Sequence, residues 1–283
     1  MSVKIITDSA ADITKEQADA LGITFLSLKT IFGEEEFIDG VTMSHHEFYE
    51  KLTTSSSNPT TSQVPPADFE AAYQKIKEAG DTAVVITLAS KLSGTYQSAN
   101  IARDGYEDCI WVVDSENASV SERILVEYAC QLQKEGKSAS EIADALNQKK
   151  KDAHLIVLLD TLEYLKRGGR ISGAAALAGN LLSIKPVITL VDGAVSMLGK
   201  ARGTKNGSIM LRQEIEKYGI DCSLPLCLGY SGFNDNMLQK FIADSKSLWE
   251  DYDGELPIST IGSTIGTHVG PDAIFVAFFA KEK

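Results

Sequence analysis

The sequence predicts an α/β fold, and three observations carry that prediction. Short, continuously apolar, β-branched runs recur from the start of the chain, and most are separated by helix-length segments of amphipathic period. Four of the candidate helices open on a capping-box pattern. The chain's 283 residues also exceed what one core usually supports, since domains typically run to roughly 100–150 residues. Two α/β domains with a ligand cleft between them are therefore expected.

Each element has its own signal. Val3 to Thr7 reads as a buried strand, Thr14-x-x-Gln17 opens a helix, and Gly22 suits its end. Ile23 to Leu28 reads as the next strand and Ser44-x-x-Glu47 as the next helix start. Pro65 and Pro66 stiffen the chain before another helix, because proline is tolerated in a first turn. Ala83 to Leu88 and Ile110 to Val113 read as strands, followed by helix starts at Ser119-x-x-Glu122 and Ser138-x-x-Glu141 and a strand from Leu155 to Leu158.

After Asp160 the texture changes. A Gly/Ala-rich helix precedes the run Pro186 to Leu190, and Asp192-Gly193 before Val195 to Leu198 is a hairpin signal. A helix near Asn206 to Tyr218, a strand at Leu226 to Tyr230, a helix from about Asn236 to Trp249 and strands near Pro257 to Thr260 and Ala273 to Phe279 complete the chain. The boundary near Asp160 divides an N-terminal α/β domain, 1–159, from a C-terminal one, 160–283.

Composition excludes several function classes. A net charge of -12 and a pI of about 4.9 oppose nonspecific binding to nucleic acid or anionic membrane, both of which need a basic footprint. No stretch approaches the roughly 20 apolar residues of a membrane span, and a strand begins almost at once, so no signal peptide is expected and a cytoplasmic location is. Cys109, Cys130, Cys222 and Cys227 show no paired spacing and no clustered histidines, which points to reduced thiols without metal. Gly229-Tyr230-Ser231-Gly232-Phe233 imitates a nucleophile elbow but lacks the final glycine, and no phosphate-binding P-loop is present.

The chemistry concentrates at Ala89 to Ala99, which follows the Ala83 to Leu88 strand. Strand carboxyl ends are where open α/β sheets bind ligands. Ser93 is placed to cap the following helix, whose unpaired amides favour an anion, and Gly94 lets a ligand approach the backbone. A second hydroxyl cluster, Thr60-Thr61-Ser62-Gln63, converges on the same chemistry, although spacing leaves open which of Thr61 and Ser62 points inward. Asp8 and Ser9 read best as caps of a turn. His268 reads as part of a turn entering the last strand; near a carboxylate it would donate a hydrogen bond or move a proton as its charge changes near neutral pH. An alternative remains an enzyme acting on a small phosphorylated or carboxylated substrate, with Ser93 or Asp8 catalytic.

These motifs resemble the DegV family of bacterial fatty-acid-binding proteins, which pair a Thr-Ser-Gln segment with Leu-Ser-Gly-Thr-Tyr-Gln-Ser. The resemblance extends to Thr7-Asp8-Ser9-Ala10-Ala11-Asp12, Arg167-Gly168-Gly169-Arg170-Ile171 and Gly266-Thr267-His268-Val269-Gly270-Pro271, and so covers the whole chain. It implies that Thr61 and Ser93 hold a fatty-acid carboxylate, such as that of palmitate, with Ser62, Gly94, Thr95 and His268 beside them. It also implies a lipid-binding carrier, itself without catalytic residues, cofactor or metal, that serves a separate fatty acid kinase. That kinase would phosphorylate the carboxylate to an acyl phosphate for phospholipid synthesis, docking near Arg170 and Arg202. The tail would lie along Ile171, Ala174, Ala175, Leu177, Ala178, Leu181, Leu182 and Ile184. Two departures from the family pattern stand out: Asp272 where a glycine usually follows Pro271, and Glu116 in a segment where glycine often follows Asp-Ser.

Overall fold

A computed structural model describes residues 2–171 and 184–281. The Gly/Ala-rich segment, and with it Ala174, Ala175, Leu177, Ala178, Leu181 and Leu182, lies outside the described residues. Among those described, the chain forms two central sheets and a small third one.

The first sheet is wholly parallel, with β1 (Val3–Asp8) between β2 (Thr24–Leu26) and β6 (Thr82–Thr87), and β7 (Ile110–Asp114) outside β6. Strand order therefore reverses between β1 and β6, and the carboxyl ends there open a crevice. Asp8 spans it, accepting the Ala10 amide at 2.9 Å and the Leu88 amide at 3.0 Å, while Ser9 Oγ accepts Leu28 N–H at 3.0 Å. Asp8 caps the turn as expected, whereas Ser9 bonds instead to the segment just after β2. The flanking helices are α1 (Lys15–Leu21), α3 (Pro66–Glu78), α4 (Thr95–Ala102) and α6 (Ala139–Lys149). The capping boxes at Thr14, Ser44 and Ser138 all form.

The small sheet carries no signal in the sequence. β3 (Lys29–Phe32) pairs antiparallel with β4 (Glu35–Ile38) and with β5 (Thr60–Ser62), setting Thr30 opposite Thr61. The helix α2 (His45–Thr54) packs Phe48 and Tyr49 beside it. Three- and four-residue strands are too short for a periodic signal, and their pairing, not their composition, makes them strands.

The second sheet is mixed, in the order β10 (Ala194–Arg202), β9 (Ile184–Val191), β8 (Ala153–Leu158), β13 (Ile274–Phe279), β11 (Cys227–Tyr230), β12 (Ile258–Thr260). β8, which precedes Asp160, thus pairs with strands from the second half. Asp192 and Gly193 both have positive φ, 49° and 77°, and close the expected hairpin. The remaining helices are α7 (Glu163–Arg167), α8 (Gly203–Tyr218), α9 (Asn236–Asp244) and α10 (Ser263–Val269).

Between the two large sheets runs α5 (Val120–Lys134), buried along most of its length. Its start corrects the capping-box expectation. Ser119 adopts φ 60° and its hydroxyl donates to Asp12 Oδ2 at 2.5 Å, while Glu122 is fully buried beside the Thr7 hydroxyl. At this backbone conformation Ser119 makes no side-chain cap, and its buried hydroxyl, out of reach of water, takes Asp12 as partner instead.

Both departures from the family pattern fall where backbone geometry favours glycine. Glu116 has φ 53° and Asp272 φ 60°, the left-handed region that costs an L-residue roughly 1–2 kcal/mol. Glu116 is compensated by an ion pair with Lys150 at 2.8 Å. Asp272 lies near the like-charged Asp160, and burial with that charge raises its pKa. Asp272→Gly is expected to stabilise the fold by about 0.5–1 kcal/mol in urea unfolding; a loss of that size would show that Asp272 is held by favourable contacts instead.

Candidate functional site

A cavity of about 320 Å³ lies between the two large sheets. Leu155, Val157, Ile188, Leu190, Val195 and Phe275 of the second sheet supply one apolar wall, and Leu28, Leu88 and Ala118 face it from the first half. One end is polar, formed by Thr61, Ser62, Ser93, Gly94, Arg170 and His268. Two hydroxyl segments separated by thirty residues of sequence thus meet at one point. A second, polar recess of similar volume shares Leu92, Ser93, Gly94 and Arg170 with this end.

Extended backbone explains how the first segment reaches the cavity. On β5 successive side chains alternate in direction, so Thr61 and Ser62 diverge. Thr61 Oγ1 lies 3.0 Å from His268 Nε2, whereas Ser62 Oγ bonds to the neighbouring Gln63 carbonyl at 3.3 Å. Pro65 and Pro66 then start α3, with Pro66 inside its first turn.

The second segment corrects the capping expectation for Ser93. Gly94 occupies the N-cap of α4, and Ser93 stands one residue earlier. Its hydroxyl accepts the Thr95 amide at 3.3 Å and lies 3.0 Å from Thr95 Oγ1. Thr95 is fully buried and is not among the described residues lining the cavity. It orients Ser93 from behind. No base contacts Ser93 Oγ among the described residues, so nothing there would activate it as a nucleophile. Gly94 has no room for a side chain: a Cβ would lie 2.0 Å from Gln63 Oε1, and the Gln63 amide is tied to Ser98 Oγ at 2.7 Å.

His268 sits in a helix, not in a turn. It occupies the last turn of α10, where Thr264, Ile265, His268 and Val269 face the cavity and Gly262, Gly266 and Gly270 make the opposite face. A Cβ on Gly266 would overlap Phe48 and Tyr49, and one on Gly270 would overlap the Tyr164 ring. Glycine every fourth residue therefore brings α2 and α7 against the backbone of α10. That spacing was readable in the sequence, but glycine, serine and threonine are poor helix formers and concealed the helix.

The charge state of His268 also differs from expectation. Burial, reinforced by the nearby Arg170 charge, pushes its pKa down to about 4, so the ring is neutral at neutral pH and does not change charge there. A neutral imidazole retains one N–H to donate. Its Nδ1 is buried against Gly168 without a hydrogen-bond partner.

The two basic candidates separate. Arg170 lines the polar end, anchored by bonds from Nε to Leu92 O at 3.1 Å and Nη1 to Gly168 O at 2.6 Å. Arg202 is exposed at the end of β10 and does not line the cavity. Asp272 and Asp8 are also absent from the described lining residues. Ile171 is buried and Ile184 begins β9, and neither lines the described cavity.

A model of the DegV family, described as uncharacterised proteins, matches residues 2–281. The chain belongs to the DegV family. It is 32% identical to a DegV domain-containing protein of Caldanaerobacter subterraneus subsp. tengcongensis, with 99% of each chain covered. Among solved structures it resembles a fatty-acid-binding DegV family protein from Thermus thermophilus, at 29% identity and a TM-score of 0.90, covering 99% of this chain and 100% of that one. It also resembles a stearic-acid-binding protein from Eubacterium ventriosum, at 26% identity and a TM-score of 0.86, with 99% of each covered. The α/β architecture of this DegV protein is that of its relatives. No described helix is long and apolar enough to cross a membrane.

Proposed function

We propose that this DegV protein binds a long-chain fatty acid and presents its carboxylate to a separate fatty acid kinase for conversion to an acyl phosphate that feeds phospholipid synthesis. The observation that carries the reading is a cavity between the sheets with apolar walls and one polar end, where Thr61, Ser93 and His268 converge. In this reading Thr61 and Ser93 donate to the carboxylate, Gly94 leaves it room, and Ser62 and the neutral His268 complete the polar end. Thr95 supports Ser93 from behind. Residues 1–159 supply most of the head-group site, and residues 160–283 supply much of the tail wall together with Leu155 and Val157 of β8. The fatty-acid-binding relatives support it. The protein works as a cytoplasmic bacterial carrier, with Arg170 at the mouth and Arg202 beyond it facing the kinase, which does the catalysis.

Affinity divides unequally along the ligand. Burying about 15 methylenes is worth roughly 12 kcal/mol gross, much of it offset by association and chain ordering. A hydrogen bond to a charged group nets about 1.5–3 kcal/mol. The tail therefore supplies most of the affinity, and the head site sets orientation.

Denaturing the purified protein and analysing the extract by mass spectrometry is expected to release fatty acid from the wild type. Thr61→Val, which keeps shape and loses the hydroxyl, should weaken binding about tenfold or more and abolish kinase-dependent phosphorylation. Absence of fatty acid from protein made in any bacterial host would sink the carrier reading. Full phosphorylation of the Thr61 variant would sink the residue assignment alone.

A further inference from the structure

α10 is tied to the small sheet at both ends. At its last turn His268 Nε2 meets Thr61 Oγ1 on β5. At its first residue Ser263 Oγ meets Thr30 Oγ1 on β3 at 2.8 Å, and Thr30 is the register partner of Thr61. Asp39, just beyond β4, accepts both the Ser263 amide, at 2.9 Å, and the Ser263 hydroxyl, at 2.7 Å. Since Ser263 gives its proton to that carboxylate, it must accept the one from Thr30. Asp12 completes the clasp by taking the Gly262 amide at 2.7 Å. Thr30, Asp39 and Ser263 are all buried.

The resulting frame is closed: Thr61 to Thr30 across the sheet, Thr30 to Ser263, along α10 to His268, and back to Thr61. None of these clasp residues lines the cavity. We propose that Ser263, gripped by Asp39 and Thr30, is a positioning residue for the polar end of the cavity, setting where His268 stands relative to Thr61. This rests on the fatty-acid reading for its functional consequence, not for its geometry.

The lever is short and therefore stiff. Five residues separate Ser263 from His268, about 7.5 Å along a helix axis, so a tilt of about 10° at the clasp moves the imidazole by about 1 Å. A displacement of that size is enough to spoil an oriented polar contact. α10 packs its glycine face on α2 and α7, not on the small sheet. Its hold on the small sheet therefore falls to the clasp at one end and His268 at the other.

The test uses Ser263→Ala, Asp39→Ala and Ser263→Thr in the full chain, with two readouts. Imidazole nitrogen NMR of the ligand-free protein reports the His268 to Thr61 contact directly, and calorimetric titration with palmitate reports binding. Ser263→Ala and Asp39→Ala are expected to move the His268 signals toward those of a free imidazole, and Ser263→Ala to weaken palmitate binding about tenfold, or about 1.4 kcal/mol. Ser263→Thr, which keeps the hydroxyl, should restore both. Unchanged His268 signals and affinity in a folded Ser263→Ala protein, whatever its melting temperature, would overturn the proposal. A wild type that fails to bind palmitate would overturn the fatty-acid reading instead, while the His268 signals would still decide the positioning role.

Discussion

Gly168→Ala is expected to disrupt the polar end of the cavity at least as much as removing a single hydroxyl there. Gly168 has φ -74° and ψ -7°, a conformation alanine adopts freely, so backbone strain does not enter. The obstacle is space: a Cβ would lie 2.1 Å from His268 Nδ1 and 2.8 Å from Cε1. The ring cannot retreat without leaving Thr61, 3.0 Å away on its other side. Nor can Gly168 recede easily, because its carbonyl holds Arg170 Nη1 and its amide bonds to Tyr164 O at 2.9 Å. Overpacking of this kind typically costs about 1–3 kcal/mol, and the lost alignment should weaken fatty-acid binding by about tenfold or more. A double-mutant cycle with His268→Ala checks the cause. Removing the ring should erase most of the stability penalty, giving a coupling energy of about 1 kcal/mol or more; additive effects would show that the clash lies elsewhere.

Stability is expected to fall as pH rises from about 5.5 to about 8.5, the reverse of the trend that paired carboxylates usually impose. Burial raises the Asp8 pKa to about 7 against hydrogen bonds from Leu88 and Ala10. It raises that of Asp12 to about 8 against bonds from Ser119 and Gly262, with the Asp39 charge adding to the rise and Arg123 opposing it. Glu122, also fully buried, is raised well above its ordinary value. A carboxyl whose folded pKa exceeds its unfolded one binds more protons when folded. Its contribution is fully present below the unfolded value and is lost as pH climbs through the folded one. At about 1.4 kcal/mol per pKa unit, the rise of Asp12 from 3.8 to about 8 sets an upper bound of about 6 kcal/mol over the whole range between those values. A measured fall of a few kcal/mol, roughly 5–10 °C in Tm, is expected across the window. Asp12→Asn carries no charge, keeps an oxygen for Gly262 and reverses the Ser119 contact so that its N–H donates to the hydroxyl oxygen, and should flatten the profile. A wild-type profile that rises toward pH 8.5, or a variant with an unchanged slope, would show that Asp12 folds ionised.

Most of the parallel sheet and its helices could be read in advance because their signals are local. A β-branched run such as Ala83 to Leu88, or a hydroxyl three residues before a Glu or Gln, carries its meaning within a few residues. Ser119 is the instructive exception. Its spacing to Glu122 is that of a capping box, yet its hydroxyl hydrogen-bonds to Asp12, 107 residues away. The hairpin at Asp192-Gly193 followed from turn chemistry alone, and the left-handed glycine positions now held by Glu116 and Asp272 were visible as departures from a family pattern. Their φ values supply the reason.

The α/β class, the family and the two hydroxyl segments around Thr61 and Ser93 are readable without coordinates, since they depend on residue types at short spacing. Tertiary structure decided that Thr61 rather than Ser62 meets His268, that Thr95 stands behind Ser93, and that His268 rides on a helix and stays neutral. The first comes from packing across 207 residues of sequence, and the others from burial. A three-residue strand and a glycine-spaced, seven-residue helix have almost no structure of their own; they acquire it from the partners that enclose them.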